Sequence, residues 1–112
     1  MTEYSRGESI LKTITLTDSA GTALDLDNFD LITVKIIHKY LKSELGRYSL
    51  QDETVTTGTP AAGIITFTVK DSQTATAPLG VYEYQVKTED TNGDPKIRVF
   101  TGDAFYITKA IT

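Results

Sequence analysis

The chain has 112 residues, enough for one domain, and 39% of them are hydrophobic, as in an ordinary soluble domain. It contains no cysteine, which excludes disulfide scaffolds and thiolate zinc sites. The net charge is −4 and the eleven basic residues are scattered, whereas nucleic-acid-binding proteins show clustered Lys and Arg. The start MTEYSRGES is too polar for a signal peptide, and no run approaches the roughly 18 apolar residues of a membrane span. We therefore expect a soluble domain with neither nucleic acid nor membrane as a partner.

Short β-prone runs separated by turn signals predict an all-β sandwich or barrel. The run SILKTITLTD predicts a strand with apolar residues on one face and threonines on the other; its inner face holds Ile10, Ile14 and Leu16, with Lys12 among them. Gly21 predicts a turn, ALDL a short second strand, and DNFD a tight connection. LITVKIIHKY, the longest apolar run, predicts a central strand whose inner face holds Ile32, Val34, Ile36, His38 and Tyr40.

Residues 41–52, LKSELGRYSLQD, show no period of two. Leu41, Leu45 and Tyr48 could share one short helical face, so we predict a long surface excursion here. TVTTG then predicts an edge strand, Pro60 to Gly63 a turn, and GIITFTVKD a strand with three inward residues, namely Ile65, Phe67 and Val69. DSQTATAPLG predicts one helical turn capped by Asp71 or Ser72.

The Asn92-Gly93 pair is a strong hairpin signal, because a type I′ turn needs positive φ at both central residues. Centring a two-residue turn there places Val86 opposite Val99 and Thr88 opposite Ile97. The same register sets Lys87 against Arg98 and Glu89 against Lys96, and it puts Ile97 and Val99 in the inner row with Tyr82, Tyr84 and Val86. Thr101 and Asp103 would share the inner parity but are poor core residues, so we predict a bulge near Gly102-Asp103.

In PLGVYEYQV a turn and a glycine precede a tyrosine that opens a strand. This pattern is typical of the tyrosine corner of immunoglobulin-like sandwiches, in which the phenol bonds back to the preceding backbone. Tyr82 is the candidate. The alternative is that Tyr82 is simply a large core residue.

The sequence offers little that points to an enzyme. His38, the only histidine, lies in the middle of a predicted strand on its apolar parity, where a structural role is the usual one. The acidic stretch LDLDNFD contains Asp25, Asp27, Asn28 and Asp30, but Phe29 and Asp30 stand where a calcium loop needs a ligand and a glycine. No cysteine nucleophile, nucleophile elbow or glycine-rich phosphate loop occurs. We therefore predict a non-enzymatic protein and assign no catalytic, cofactor-binding or metal-binding residue.

The order of motifs resembles the immunoglobulin-like N-terminal module of phage baseplate upper proteins. The first half, GESILKTITLTDSAGTALDLDNFDLITVKI, is similar in its Thr-rich strand, its D-x-x-G turn, its L-D-L segment and its V-rich strand. The second half, GIITFTVKDSQTATAPLGVYEYQVKTEDTNGDPKIRVFTGDAFYI, is similar in its Tyr corner, its hairpin and its last G-x-F-x-I strand. The chain departs from that pattern at HKYLKSELGRYSLQDE and at TGDAF.

The resemblance implies an immunoglobulin-like antiparallel β-sandwich of about seven to eight strands over residues 9–109, after an N-terminal arm at 1–8. It also implies a bacteriophage virion structural protein that docks onto other virion proteins, as capsid decoration or in the tail or baseplate. Assembly would take place in the host bacterial cytoplasm, and a homo-oligomer is compatible with this role. Expected contact surfaces are the arm, the 41–52 excursion and any exposed edge strand.

The alternative is a sandwich module that binds carbohydrate or a cell surface. Such sites show a strip of exposed aromatic side chains, which Tyr40, Tyr48 and Tyr106 could supply.

Overall fold

The structure is a computed structural model that describes residues 2–90 and 97–109. Eight strands occur in these residues: β1 (Glu3–Ser5), β2 (Ile10–Thr15), β3 (Leu31–His38), β4 (Glu44–Ser49), β5 (Val55–Thr56), β6 (Ile64–Val69), β7 (Gly80–Glu89) and β8 (Ile97–Thr108). One helical turn, α1 (Asp71–Thr74), and two 3-10 turns (Leu26–Asn28 and Pro60–Ala62) connect them. None of the helices in these ranges is long and apolar enough to cross a membrane.

The strands form two sheets that enclose one core, so the predicted all-β sandwich is confirmed. The larger sheet has the order β1-β8-β7-β3-β4 and the smaller one the order β2-β6-β5. The neighbours β8-β7-β3-β4 and β2-β6-β5 follow the strand order G-F-C-C′ and B-E-D of immunoglobulin-like sandwiches. The larger sheet is mixed rather than purely antiparallel, because β1 pairs parallel to β8. Glu3–Ser5, within the predicted N-terminal arm, is therefore a strand of the sandwich.

Alternating side chains place the core where the sequence predicts it in β2, β3 and β6. Their inward apolar residues, and Leu16 directly after β2, are buried; the set is Ile10, Ile14, Leu16, Ile32, Val34, Ile36, Ile65, Phe67 and Val69. His38 is buried on the same face, whereas Tyr40 lies beyond the end of β3 and is exposed. Period two is a dependable signal in these strands because each has one face in the core and one toward solvent.

The second predicted strand, ALDL, is not a strand. Ala23 forms only an isolated bridge with Thr17, and the chain then enters the 3-10 turn. The Asp25 side chain accepts a hydrogen bond from the backbone N–H of Asp27 at 3.1 Å, and such local bonding competes with a strand ladder. The preceding turn is confirmed: the N–H of Gly21, at φ +84°, donates to the carbonyl of Asp18.

The predicted helical face in the 41–52 segment is wrong, because the middle of this segment is β4. Val34 pairs with Tyr48 and Lys35 with Arg47, and a bulge interrupts the register between Ile36 and Ile37. Of the three residues proposed to share a face, Leu41 is 62% exposed, Leu45 is half-buried and Tyr48 is only 6% exposed. A segment expected to lie on the surface therefore contributes to the core.

The register of the β7-β8 hairpin differs by one residue from the prediction. Val86 pairs with Phe100 and Thr88 with Arg98, and the Asn92-Gly93 pair lies outside the described residues. A shift of one residue turns each side chain to the other face, so Ile97 and Val99 are 51% and 56% exposed instead of buried. The predicted bulge is confirmed: Tyr82 pairs with Phe105 and Glu83 with Asp103, which leaves Ala104 as the extra residue.

The extra residue Ala104 shifts the alternation of β8 by one position, so that the odd-numbered residues after it point into the core. Beyond it Phe105 and Ile107 are fully buried, as predicted.

The helical turn at 71–74 and the edge strand at Val55–Thr56 are also confirmed. The cap of α1 is Lys70 rather than Asp71 or Ser72, and the Gln73 side-chain oxygen accepts from the Lys70 N–H at 3.0 Å.

Candidate interaction surfaces

Tyr82 forms the predicted tyrosine corner. Its hydroxyl donates to the carbonyl of Pro78, four residues earlier, at 2.7 Å, and its ring is buried. The ring centroid lies 5.6 Å from that of Phe105 and 5.1 Å from that of His38. Burial raises the pKa of the Tyr82 phenol above its usual value, and the charge of Arg6 lowers it in part.

Tyr82→Phe is expected to lower the free energy of unfolding by about 1 kcal/mol, because the Pro78 carbonyl loses its donor. The raised pKa adds a pH dependence: stability is fully present below the ordinary tyrosine pKa and declines as the pH rises through the folded-state value. Urea titrations of both proteins between neutral and alkaline pH measure these effects, and Tyr82→Phe should show the shallower alkaline decline. Equal stability of the two proteins at neutral pH would contradict the corner.

His38 has a structural role that occupies both ring nitrogens. The backbone N–H groups of Tyr40 and Leu41 donate to Nδ1 at 3.2 and 3.1 Å. Because Nδ1 accepts, Nε2 carries the proton and donates to the carbonyl of Leu79 at 2.9 Å. The imidazole thus ties the turn after β3 to the corner before β7.

The acidic stretch before β3 forms turn structure. Asp25 holds the start of the 3-10 turn, and Asp27 and Asp30 are exposed residues on either side of its end. Within residues 2–90 and 97–109, no group of three or more His, Asp or Glu side chains is placed to hold a metal ion. Turn formation therefore accounts for the acidic residues of this stretch without a bound metal ion.

The three tyrosines suggested for a carbohydrate site do not form one exposed strip. Tyr40 is exposed and Tyr106 is half-buried, but Tyr48 lies in the core. Its ring stacks on Phe67 with centroids 5.0 Å apart, and its hydroxyl donates to Gln73 Oε1 at 2.9 Å. Burial raises the pKa of the Tyr48 phenol, partly offset by this hydrogen bond.

The outer face of the smaller sheet carries no charged side chain on its strands. Cross-strand pairs bring the residues together: Leu11 with Thr68, Thr13 with Thr66, Thr15 with Ile64, and Thr56 with Thr66. We call these seven residues the threonine face; Thr66 is half-buried and the other six are exposed. Open concavities of about 310 and 350 Å³ border it, and Glu53 and Lys70 stand at its rim. Period two predicts the outward residues of β2 and of β6 from the sequence, whereas Thr56 joins this face only through the pairing of β5 with β6.

Strand β2 gives the threonine face an open edge. In the described part of the chain, β2 pairs with β6 on one side and has no strand on the other. Its one charged residue, Lys12, turns inward, and the ammonium donates to the carbonyl of the bulge residue Ala104 at 2.9 Å. Backbone groups beside an uncharged outer row are therefore available to a partner.

Comparison with known proteins gives no family for this chain. No model of a protein family matches it, and no curated protein is significantly similar to it.

Proposed function

We propose that this chain is a non-enzymatic structural protein of a bacteriophage virion, an immunoglobulin-like docking module that binds other virion proteins. Its position would be capsid decoration or the tail or baseplate. The proposal is supported by the resemblance of its motif order to the phage module and by a sandwich with the strand order of immunoglobulin-like domains. His38 and the acidic stretch each have a structural task in this fold.

The observation that carries the proposal is the threonine face together with the open edge of β2. The other edges of the two sheets are less suited to strand addition among the described residues. Edge strand β4 carries Glu44 and Arg47, whereas β1 and β5 have only three and two residues. Strand β2 has six residues and an outer row without charge. An extended segment of a partner that pairs with β2 would bond to its backbone and extend this face.

Lys12 restricts which strand can pair with β2. In a symmetric antiparallel pairing of two copies, Lys12 would lie opposite the Lys12, Ile10 or Ile14 of the second copy, because opposed residues share a face. Each register sets the half-buried ammonium against a like charge or an apolar side chain, which is unfavourable. These registers disfavour pairing of β2 with the β2 of a second copy, and they favour a partner strand with an acidic or hydroxyl residue opposite Lys12.

Leu11→Lys should reduce incorporation of the chain into virions at least tenfold, because a charge in the outer row of an edge strand opposes strand addition. Leu11 is 67% exposed, so the free energy of unfolding should change by no more than about 0.5 kcal/mol. The measurement is the amount of chain in particles purified from cells that express the other structural genes of the same genome.

Leu41→Lys is the matched control, because Leu41 is similarly exposed in the turn between β3 and β4. It should enter particles as the unaltered chain does. If Leu41→Lys alone lost incorporation, the contact with the virion would lie at that turn and not at β2. Absence of the unaltered chain from all particles would refute the virion role.

A further inference from the structure

A cluster of positive side chains lies on the outer face of the larger sheet, away from the threonine face. Lys35 in β3 stands directly opposite Arg47 in β4 and Gln85 in β7. Thr33, two residues before Lys35, stands opposite Lys87 in β7. Since residues two apart in a strand share a face, all five side chains project from the same surface. We call Lys35, Arg47 and Lys87 the basic cluster.

The basic cluster is electrostatically unfavourable in the isolated chain. Like charges directly opposite each other on neighbouring strands are destabilising, and Lys35 faces Arg47 in this way. At the two ends of the cluster, Glu44 pairs with Arg47 at 3.0 Å and Glu89 with Lys87 at 3.6 Å. Lys35, at the centre, forms no ion pair with any described residue. The acidic residues of the described ranges thus leave this central cation unneutralised.

The side chains around Lys35 enclose one space. A concavity of about 280 Å³ is lined by the basic cluster together with Thr33 and Gln85. Lys and Arg are donors without acceptors, and the hydroxyl of Thr33 and the amide of Gln85 can add neutral donors. Donors from three strands therefore border a single cavity, which disfavours a cation or an apolar group and favours an anion.

We infer that this concavity binds a phosphate or sulfate group, a tetrahedral oxyanion with a charge of about −2 in the phosphate case. Arg47 donates to Glu44 through Nε and Nη2 and so offers the anion its remaining N–H groups, while the two ammonium groups act as point charges from other sides. The volume is many times the roughly 30 Å³ that one water occupies, so part of an esterified group also fits. The site lies on the opposite sheet from the β2 edge and does not depend on the proposed virion function.

The test is a chemical-shift titration of the ¹⁵N-labelled full chain with sodium phosphate, sodium sulfate and glucose 6-phosphate, each at constant ionic strength. Saturable shifts should appear at the backbone amides around Thr33, Lys35, Arg47, Gln85 and Lys87. Tighter binding of the sugar phosphate would identify an ester as the ligand, and tighter binding of a free ion would identify the ion. Shifts that spread over the whole surface without saturation would overturn the inference.

Lys35→Gln should weaken binding of the preferred probe at least tenfold. The variant removes the central cation and also relieves its repulsion with Arg47, so its thermal midpoint should not fall. Lys70→Gln is the matched control: it makes the same charge change at the rim of the other sheet and should bind as the unaltered chain does. Equal affinity of Lys35→Gln and the unaltered chain would also overturn the inference.

Discussion

Gly80→Ala is expected to lower the free energy of unfolding by about 3 kcal/mol, through backbone strain and a disturbed hydrogen-bond network. Gly80 opens β7 at φ +129°, a conformation that residues with a side chain rarely adopt. A methyl group there would stand 2.9 Å from Nε2 of His38, the atom that donates to Leu79. Equilibrium urea unfolding of the two proteins measures the difference.

Two further variants separate strain from contact at Gly80. Gly21→Ala also forces positive φ, at +84°, but has no atom within 4 Å of the new methyl group, so it should cost only about 1–2 kcal/mol. In a His38→Ala background the ring is gone, and Gly80→Ala should then cost at least about 1 kcal/mol less than in the unaltered chain. Equal costs for Gly80→Ala and Gly21→Ala would show that His38 does not constrain the corner.

Tyr48→Ala is expected to lower the free energy of unfolding by about 3–5 kcal/mol, the usual cost of truncating a buried large aromatic residue. The loss includes the stacking on Phe67 and the hydrogen bond to Gln73. Tyr48→Phe keeps the ring and should cost only about 1 kcal/mol. Differential scanning calorimetry of the three proteins measures both changes. A surface excursion would give changes within about 0.5 kcal/mol for each, which would contradict the placement of β4.

The sequence predicts strands well where apolar side chains that face the core alternate with polar side chains that face solvent. This is why β2, β3 and β6 were placed correctly, and why Tyr82 could be recognised as a corner from the glycine and turn before it. Strand β4 gave no such signal. Its inward positions are Gly46 and Tyr48, and the ring of Tyr48 occupies the space where Gly46 lacks a side chain. One missing side chain therefore hides the alternation, and the bulge in β4 at Leu45, which has no partner in β3, obscures it further.

The register of the last hairpin could not be read from its turn residues. Asn92-Gly93 favours a two-residue turn locally, but the observed pairing of Glu89 with Ile97 encloses an odd number of residues. Burial of Phe105 and Ile107 fixes the far end of β8, and the bulge at Ala104 reconciles the two ends. Long-range packing thus fixes the register of the described pairs.

The candidate surfaces were only partly accessible to sequence reasoning. The threonines of β2 were visible, but joining them to Thr56 and Thr66 requires the sheet register. The basic cluster was hidden because its members are far apart in the chain and Arg47 lies in a strand without a period. A pattern of scattered basic residues therefore does not exclude a local concentration of charge.

The parallel pairing of β1 with β8 has a mechanical consequence. The backbone carbonyl of Thr2 accepts from Tyr106, and the N–H of Arg6 donates to Thr108, so hydrogen bonds extend along the whole contact. A tensile force applied between Thr2 and Lys109 would slide these two strands past each other, because it acts at the start of one and at the end of its parallel neighbour. Such loading must break all bonds of the contact together rather than one after another. We expect this sandwich to resist pulling far better along that axis than a hairpin that is peeled open from its ends.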